Sequence, residues 1–230
     1  MYKENKVLLM MPAYNEEGKI GKVLSKVPRE LVDEILVIND GSTDNTVDEA
    51  KRYNVTIISL KQNKGLGIAF KIAFAYIKKK GFDIGVIMGS DGQDDPRRIE
   101  TFLQGIVDDD FDMIQGCRYL VTVKNIPLFR LVTTRLYSIV FSIVAKKWIR
   151  DASTGYKAFK VALLDKIDFS AEWLNAKYGI EQHFLIQTIK KGYKVKEIPA
   201  KKHFPKIGYS KMRPLVDWLN MLRPIFKNLW

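Results

Sequence analysis

Asp91 and Gln93 stand two positions apart, directly after an apolar run of the sequence. Two side chains at this spacing point to the same side of an extended segment. Carboxylate and amide oxygens suit Mg²⁺ or Mn²⁺, which hold a pyrophosphate group in many enzymes. The pair therefore predicts a metal site. Asp94 and Asp95 nearby are either outer ligands that support this metal or a solvated acidic turn before Pro96, and the solvated turn is favoured.

Three other segments carry residues suited to a nucleotide. The segment 12–16 (PAYNE) places an aromatic ring beside a carboxylate, and the segment 40–44 (DGSTD) could bond ribose hydroxyls or a base edge. Lys64 and Gly65 put a cation and an unhindered backbone where a helix begins, which favours phosphate. Each segment alone is also compatible with an ordinary turn or helix cap, so only their combination argues for a site.

The elements that must position these segments alternate between strand and helix. Strands are predicted at 6–11, 34–39, 55–60, 84–88 and 112–116, and helices at 17–27, about 43–53 with Ser42 or Thr43 as cap, 66–79 and 96–107. This order predicts an α/β fold with a mostly parallel sheet flanked by helices. The polar segments all fall at carboxyl ends of strands, where such sheets bind ligands.

The second half of the chain has a different character. The segment 127–149 is apolar but interrupted by basic residues, and a helix at 180–191 and a strand at 193–198 follow. From Arg213 onward, one face of a predicted helix carries apolar residues, with a kink expected at Pro224. The members of that face are Leu215, Trp218, Leu219, Leu222, Phe226 and Leu229.

Charge and cysteine content limit the partners and the compartment. The 230 residues include 38 lysines and arginines against 26 acidic residues, a net charge of +12, which suggests a polyanionic partner or simply a solvated basic surface. Nucleic acid is not expected, since the acidic strand-end loops would repel its phosphates. A single cysteine fits a reducing compartment. No signal peptide is apparent, and no segment reaches the roughly 20 apolar residues that span a bilayer.

Taken together, the motifs resemble the family 2 glycosyltransferases with the GT-A fold. The resemblance covers nearly the whole chain and rests on MPAYNEE at 11–17, NDGSTDNT at 39–46, NKGLGIAF at 63–70, SDGQDDP at 90–96 and GCRY at 116–119. The later segments look like the dolichyl-phosphate mannose synthase branch. They are PLFR at 127–130, TR at 134–135, DASTGYK at 151–157, GYKVKEIP at 192–199 and GYSK at 208–211.

The resemblance implies an enzyme that transfers a hexose, mannose favoured over glucose, from a nucleotide-diphosphate sugar to a dolichyl or polyprenyl phosphate with inversion. It implies Mg²⁺ or Mn²⁺ on Asp91 and Gln93, and catalytic roles for Asp91, Arg118 and Arg130. The expected donor contacts are Pro12, Ala13, Tyr14, Glu16, Asp40, Lys64, Gly65, Asp91 and Lys211. The expected acceptor-phosphate contacts are Arg118, Arg130, Thr134 and Lys157.

Three positions depart from the family pattern. Gly89 replaces the first aspartate of an Asp-x-Asp metal motif, Lys157 stands where arginine is usual, and His183 replaces a carboxylate, with Glu181 two positions earlier. The first departure removes one metal ligand. It leaves open a weakened or repurposed site, such as a nucleotide-sugar-binding partner without catalysis.

A lipid acceptor would give the apolar segments of the second half a role. We expect a catalytic domain over 1–212, whose segment 127–149 lies in the membrane interface, and an amphipathic tail over 213–230. The protein would then sit peripherally on the cytoplasmic face of a membrane. The alternatives are ordinary core helices with a packed terminal helix, and a transferase that uses a soluble saccharide acceptor.

Overall fold

The computed structural model describes residues 1–121, 128–203 and 214–228, and only the backbone of residues 214–219. The strands are β1 (Val7–Ala13), β2 (Glu34–Asn39), β3 (Thr56–Ser59), β4 (Ile84–Ile87), β5 (Met113–Cys117), β6 (Lys157–Lys160) and β7 (Val195–Pro199). The α-helices are α1 (Ile20–Leu24), α2 (Thr46–Lys51), α3 (Leu66–Lys79), α4 (Ile99–Val107), α5 (Leu128–Ala145), α6 (Ile180–Lys190) and α7 (Pro214–Lys227).

The strands form one sheet in the order β3-β2-β1-β4-β6-β5-β7. Only β6 runs against its neighbours, pairing antiparallel with β4 and β5, and the other pairs are parallel. The predicted α/β class with a mostly parallel sheet is therefore confirmed. Because β6 is reversed, the loop that precedes it lies at the edge of the sheet where the parallel strands end.

Successive side chains of β1 enter two hydrophobic cores, one on each face of the sheet. Leu8 and Met10 belong to the core shared with α3, α5 and α6, whereas Leu9 and Met11 belong to the core shared with α1 and α4. This alternation is the normal geometry of a strand. Burial on both faces explains why β1 reads as an unbroken apolar run.

Two local predictions were wrong, and one strand was missed. The predicted helix 17–27 is shortened to α1, and β6 was not predicted. The expected cap of α2 at Ser42 or Thr43 is also wrong, because α2 begins only at Thr46. The Ser42 hydroxyl instead accepts from the backbone N–H of Asn15 at 3.0 Å, which ties two strand-end loops together.

The helices of the second half pack on one another. The Tyr137 hydroxyl of α5 donates to the carbonyl of Met221 in α7 at 2.9 Å. Met221 and Ile225 are buried in the same core as α6. The described part of the tail is thus a packed terminal helix. Its buried residues Met221 and Ile225 do not belong to the apolar face that the sequence predicted. Of that face, Leu222 packs partly buried against the same core, whereas Phe226 is exposed.

Candidate active site

A cavity of about 560 Å³ opens at the carboxyl ends of β1, β2 and β4. Most of the residues predicted to form the site line it: Pro12, Ala13, Tyr14, Glu16, Asp40, Gly65, Asp91, Gln93, Arg118, Arg130 and Thr134. Gln182, Glu181, Tyr178, Lys177, Lys202 and Asp94 also line it and were not predicted as site residues. The wall therefore mixes carboxylates with basic groups, as binding of a phosphate ester and a metal ion would require.

The loop after β4 is held in a defined shape on the end of β1. The Ser90 hydroxyl donates to the Pro12 carbonyl at 2.7 Å, and the His203 backbone N–H donates to the Gln93 carbonyl at 2.8 Å. Asp91 Oδ1 accepts from the Gln93 backbone N–H at 3.0 Å, so Asp91 closes its own turn. The side chains of Asp91 and Gln93 are thereby presented together to the cavity.

At the end of β2, Asp40 organises the loop that begins α3. Its two carboxylate oxygens accept from the backbone N–H groups of Lys64 at 2.6 Å and Gly65 at 2.8 Å. Gly65 has a φ of 90°, and a Cβ there would lie 2.9 Å from the Cα of Lys177. Both facts explain a glycine at this position. Lys64 is exposed and does not line the cavity, so the structure does not place it with the other expected donor contacts.

Arg118 forms a buried ion pair with Asp151, which the sequence did not indicate. Its guanidinium is 4% exposed and forms a bidentate pair with the fully buried Asp151, with Nε–Oδ2 at 2.7 Å and Nη2–Oδ1 at 2.9 Å. Burial would raise the pKa of Asp151, but the charge and hydrogen bonds of Arg118 hold it below its usual value. Nη2 also donates to the Ser153 hydroxyl, so Nη1 is the guanidinium nitrogen of Arg118 for which no hydrogen bond is seen within the described part of the chain. Arg118 lines the cavity, where Nη1 could meet a phosphate.

Arg130 and Thr134 lie one turn apart on α5 and both line the cavity. Burial, followed by the positive charge of Arg118, lowers the pKa of Arg130. Two positive groups held close together favour an anion between them. The Thr134 hydroxyl is hydrogen-bonded to the Tyr119 hydroxyl and to the Arg130 carbonyl, so Thr134 also fixes the start of α5.

Lys157, expected at the acceptor phosphate, does not reach the cavity. It is fully buried on β6, where its ammonium group donates to the Thr154 carbonyl. Burial lowers the pKa of Lys157, and the charges of Glu181 and Asp151 oppose that shift. The structure therefore does not bring Lys157 to the cavity with the other expected acceptor contacts. Its side chain lies on the same face of β6 as Phe159, which belongs to the core shared with α3, α5 and α6.

The expected donor contact at Lys211 lies outside the described residues, as do the GYSK segment at 208–211 and Pro127. The side chains of Leu215, Trp218, Leu219 and Leu229 in the predicted tail face are likewise outside them. Their roles stay predictions.

The oxygen atoms near Asp91 fit a divalent ion that is held partly by protein side chains and partly by a bound substrate. Among the residues that the structure describes, no three His, Cys, Asp or Glu side chains form a metal cluster. Mg²⁺ commonly takes one or two carboxylates, keeps water and binds substrate phosphates for the remainder. Asp91, Gln93 and a buried Asp94 oxygen without a hydrogen bond to a described residue meet this requirement.

Comparison with known proteins decides the family. The sequence model of glycosyl transferase family 2 matches residues 9–168, which include the strand-end loops, Arg118 and Arg130. The chain belongs to glycosyl transferase family 2. It is therefore a glycosyltransferase, and the residues matched to the family include the loops that line the cavity.

Relatives extend over nearly the whole chain. The polyprenol monophosphomannose synthase of Mycolicibacterium smegmatis is 30% identical over 217 residues, covering 90% of this chain and 81% of the relative. The UDP-N-acetylglucosamine–dolichyl-phosphate N-acetylglucosaminyltransferase of Methanococcus voltae is 30% identical over 215 residues, covering 85% and 84%. This glycosyl transferase family 2 chain is thus similar to proteins named for lipid-phosphate acceptors and for different sugars.

Solved structures support the GT-A fold of this family 2 member. Glucosyl-3-phosphoglycerate synthase from Mycobacterium tuberculosis, in complex with Mn²⁺, UDP and glucosyl-3-phosphoglycerate, superposes with a TM-score of 0.71 at 19% identity. The match covers 99% of this chain and 79% of that one. At this identity the likeness shows the fold.

Proposed function

We propose that this protein transfers a hexose from a nucleoside-diphosphate sugar to the phosphate of a dolichyl or polyprenyl lipid at a membrane surface. The observation that carries the proposal is the adjacency of Phe129 and Arg130 on α5. Arg130 lines the cavity, and Phe129 lines its mouth while remaining 74% exposed. A phosphate bound near Arg130 can therefore carry an apolar tail that leaves the cavity along the outward face of α5.

The outward face of α5 has the character of a lipid-facing surface. It exposes a row of large apolar side chains: Leu128, Phe129, Val132, Leu136, Ile139, Val140 and Ile143. The buried face of the same helix contains three hydroxyl residues, Thr134, Ser138 and Ser142, alongside Tyr137, Phe141 and Ala145. A contiguous exposed apolar row of this size favours an apolar neighbour on the outer face. We call these seven exposed residues the α5 apolar face.

The length of α5 allows two modes of membrane contact. The helix has 18 residues with a mean hydropathy of 1.5, so by length and composition it could cross a bilayer, which the sequence alone did not predict. Its inner face, however, is packed on the domain through Tyr137 and Phe141. Packing of one side supports a helix lying in the interface, with the cavity beside it.

The proposed reaction is a single displacement with inversion. A non-bridging oxygen of the lipid phosphate attacks the anomeric carbon, the bond from that carbon to the diphosphate oxygen breaks, and the nucleoside diphosphate leaves with the electron pair. A phosphate oxygen is anionic near neutral pH and needs no strong general base. Arg130 and the Nη1 side of Arg118 would orient the phosphate and offset its charge.

Donor binding would rest on the loops after β1, β2 and β4. Tyr14 and Asp40 line the part of the cavity suited to the nucleoside, and Asp91 with Gln93 would hold the metal. A divalent ion, when bound, neutralises the charge that develops on the departing diphosphate. We favour mannose as the sugar, because two relatives are named for mannosyl transfer to polyprenol or undecaprenyl phosphate. Glucose from UDP-glucose remains the alternative.

The proposed location is the cytoplasmic face of the membrane, with the protein attached peripherally. The net charge of +12 supports an anionic surface as partner. The single cysteine is consistent with a reducing compartment.

A specific observation favours one rival function, transfer to a soluble hydroxyl acceptor. Glu181 lines the cavity, and burial raises its pKa. A hydroxyl acceptor needs a general base, and a carboxylate with a raised pKa is suited to that work. The α5 apolar face has no role in this rival, which is why the lipid acceptor is preferred.

The assay that tests the proposal supplies labelled GDP-mannose, UDP-glucose and UDP-N-acetylglucosamine in turn, with Mg²⁺ or Mn²⁺. Each donor is incubated with a polyprenyl phosphate in detergent, and separately with soluble saccharides. We expect a chloroform-soluble glycolipid with one donor preferred. Turnover with soluble acceptors only would instead establish the rival, and donor binding without any turnover would establish a non-catalytic partner.

The α5 apolar face gives a prediction about the membrane. Replacing Leu136 and Ile143 together by glutamine should weaken binding to anionic vesicles by roughly tenfold or more, since each apolar side chain loses its transfer from water. Both residues are exposed, at 57% and 71%, so the thermal unfolding midpoint should change little. Vesicle sedimentation measures the first effect and calorimetry the second.

The same double variant separates membrane contact from chemistry. Activity on a long-chain acceptor in vesicles should fall, while activity on a short, soluble prenyl phosphate should be retained. Equal vesicle binding by variant and wild type would refute the membrane role of α5. Truncation before residue 213 would not isolate membrane contact, because it removes Met221 and Ile225 from the core.

A further inference from the structure

Gly89 leaves the metal loop with one carboxylate fewer than the Asp-x-Asp pattern provides. Its φ is not in the left-handed region, so the backbone does not require glycine. The space beside its Cα is occupied instead. A side chain at this position would place its Cβ 3.3 Å from Asp91 Oδ1 and 3.6 Å from Asp94 Oδ2. Two carboxylates therefore flank the point where the missing aspartate would begin.

Asp94 does not have the solvated character that the sequence suggested. Its side chain is only 4% exposed and lines the cavity. Its Oδ1 atom is buried and accepts no hydrogen bond from any residue in the described part of the chain, with the Lys202 ammonium 3.5 Å away. A buried carboxylate oxygen without a hydrogen bond is unusual and points to a ligand that is bound during function.

The neighbouring Asp95 provides a clear contrast. Its Oδ1 accepts from the backbone N–H of Arg97 at 3.1 Å and from Arg97 Nε at 2.9 Å, and its Oδ2 accepts from Arg97 Nη2 at 2.9 Å. Asp95 thus caps the short helix that begins at Pro96. Of the two adjacent acids, Asp94 lines the cavity and Asp95 does not.

We propose that Asp94 supplies the second carboxylate of the metal site, in place of the aspartate absent at Gly89. The divalent ion would bind between Asp91 and Asp94, with the Gln93 amide oxygen, the donor diphosphate and water completing the set. The negative charges of the two acids are compatible at close range when a cation lies between them. Lys202, at 3.5 Å from Asp94, is placed to contact the same diphosphate.

The inference rests on one part of the proposed function, the binding of a nucleoside diphosphate. Its test uses no acceptor. Mn²⁺ affinity is measured by the loss of the free-ion electron paramagnetic resonance signal, with UDP or GDP present at saturation. Asp94→Asn preserves the size of the side chain and removes its charge. It should weaken Mn²⁺ binding by about tenfold or more, because affinity follows the number of charged ligands.

Asp95→Asn is the matched control, since it removes the same charge one residue away. Its Mn²⁺ affinity should stay within about twofold of wild type. Unchanged Mn²⁺ affinity in Asp94→Asn would overturn the proposal and leave Asp94 as a counter-ion for Lys202. Near-ultraviolet circular dichroism of each variant verifies that the fold is retained.

A rescue experiment makes the test more specific. Adding Gly89→Asp to Asp94→Asn moves the second carboxylate to the usual position, and should restore most of the lost Mn²⁺ affinity. Gly89→Ala in the same background adds the Cβ without the carboxylate and should restore none. Equal behaviour of the two double variants would contradict the proposed substitution of Asp94 for an aspartate at position 89. Failure of the lipid assay would leave these binding results intact.

Discussion

Asp91→Asn is expected to lower kcat by roughly a hundredfold to a thousandfold, because the metal contributes several kcal/mol to stabilising the departing diphosphate. Asparagine is the informative replacement. Asp91 Oδ1 accepts from the Gln93 backbone N–H at 3.0 Å, and an asparagine oxygen can accept the same bond. The variant therefore removes the charge while preserving the turn, whereas alanine would remove both.

Initial rates over a range of Mg²⁺ and Mn²⁺ concentrations measure the effect. EDTA should stop the wild-type reaction, and either ion should restore it. The Asp91→Asn variant should need a higher metal concentration and should not recover full activity at saturation. Full turnover by the variant with an unchanged metal requirement would show that Asp91 is not a metal ligand. The loop after β4 would then lose the metal-binding role proposed for it.

The strand-end loops could be predicted from sequence because their signals are local. An unbroken apolar run followed by short polar residues marks a buried parallel strand and its carboxyl end wherever it occurs. Parallel pairing then brings those ends to one edge of the sheet. Tyr14, Asp40 and Asp91 accordingly line a single cavity, although they are far apart in the chain.

The missed features depend on contacts between distant residues. Arg118 and Asp151 are 33 positions apart, and no periodicity links them. The strand β6 has only four residues, two of them lysines, so it lacks the apolar signal of a buried strand. Lys157 can be buried there because Glu181, from α6, lies near enough to offset its charge. Charge pairing of this kind is settled by the tertiary structure.

The helix α5 combines a correct prediction with one that the sequence could not make. Its apolar composition was evident, but composition does not reveal which face is packed. The structure buries a row that includes Ser138 and Ser142, whose hydroxyls bond backbone carbonyls of Thr134 and Ser138. Tyr137 and Phe141 are buried beside them, but the seven residues of the α5 apolar face are left outside. This arrangement gives the proposed membrane contact a structural argument that hydropathy alone could not supply.

Arg130→Ala is expected to reduce kcat/KM for the polyprenyl phosphate by about tenfold to a hundredfold. The estimate corresponds to the loss of a charge-assisted hydrogen bond, about 1.5–3 kcal/mol. Affinity for the nucleoside diphosphate should change by less than about twofold, because the donor loops lie on β1, β2 and β4. Lysine at this position should recover part of the activity, since it restores the charge without the planar fork.

Arg135→Ala is the matched control for this experiment. Arg135 carries the same charge on the same helix, but its guanidinium lies 4.0 Å from the centroid of the Tyr119 ring, and it does not line the cavity. Its removal should leave the use of a short, soluble acceptor nearly unchanged. Arg118→Ala is not an equivalent test, because it would leave the buried Asp151 carboxylate without its partner and destabilise the fold by about 3–5 kcal/mol.

Steady-state kinetics with varied acceptor, together with calorimetric titration of the nucleotide, distinguish the outcomes for Arg130. A higher KM for the acceptor with intact nucleotide binding would support a phosphate contact at the mouth of the cavity. Loss of nucleotide binding would assign Arg130 to the donor diphosphate instead. That assignment would also separate the α5 apolar face from the acceptor phosphate, because Phe129 and Arg130 are the residues that join the apolar face to the cavity.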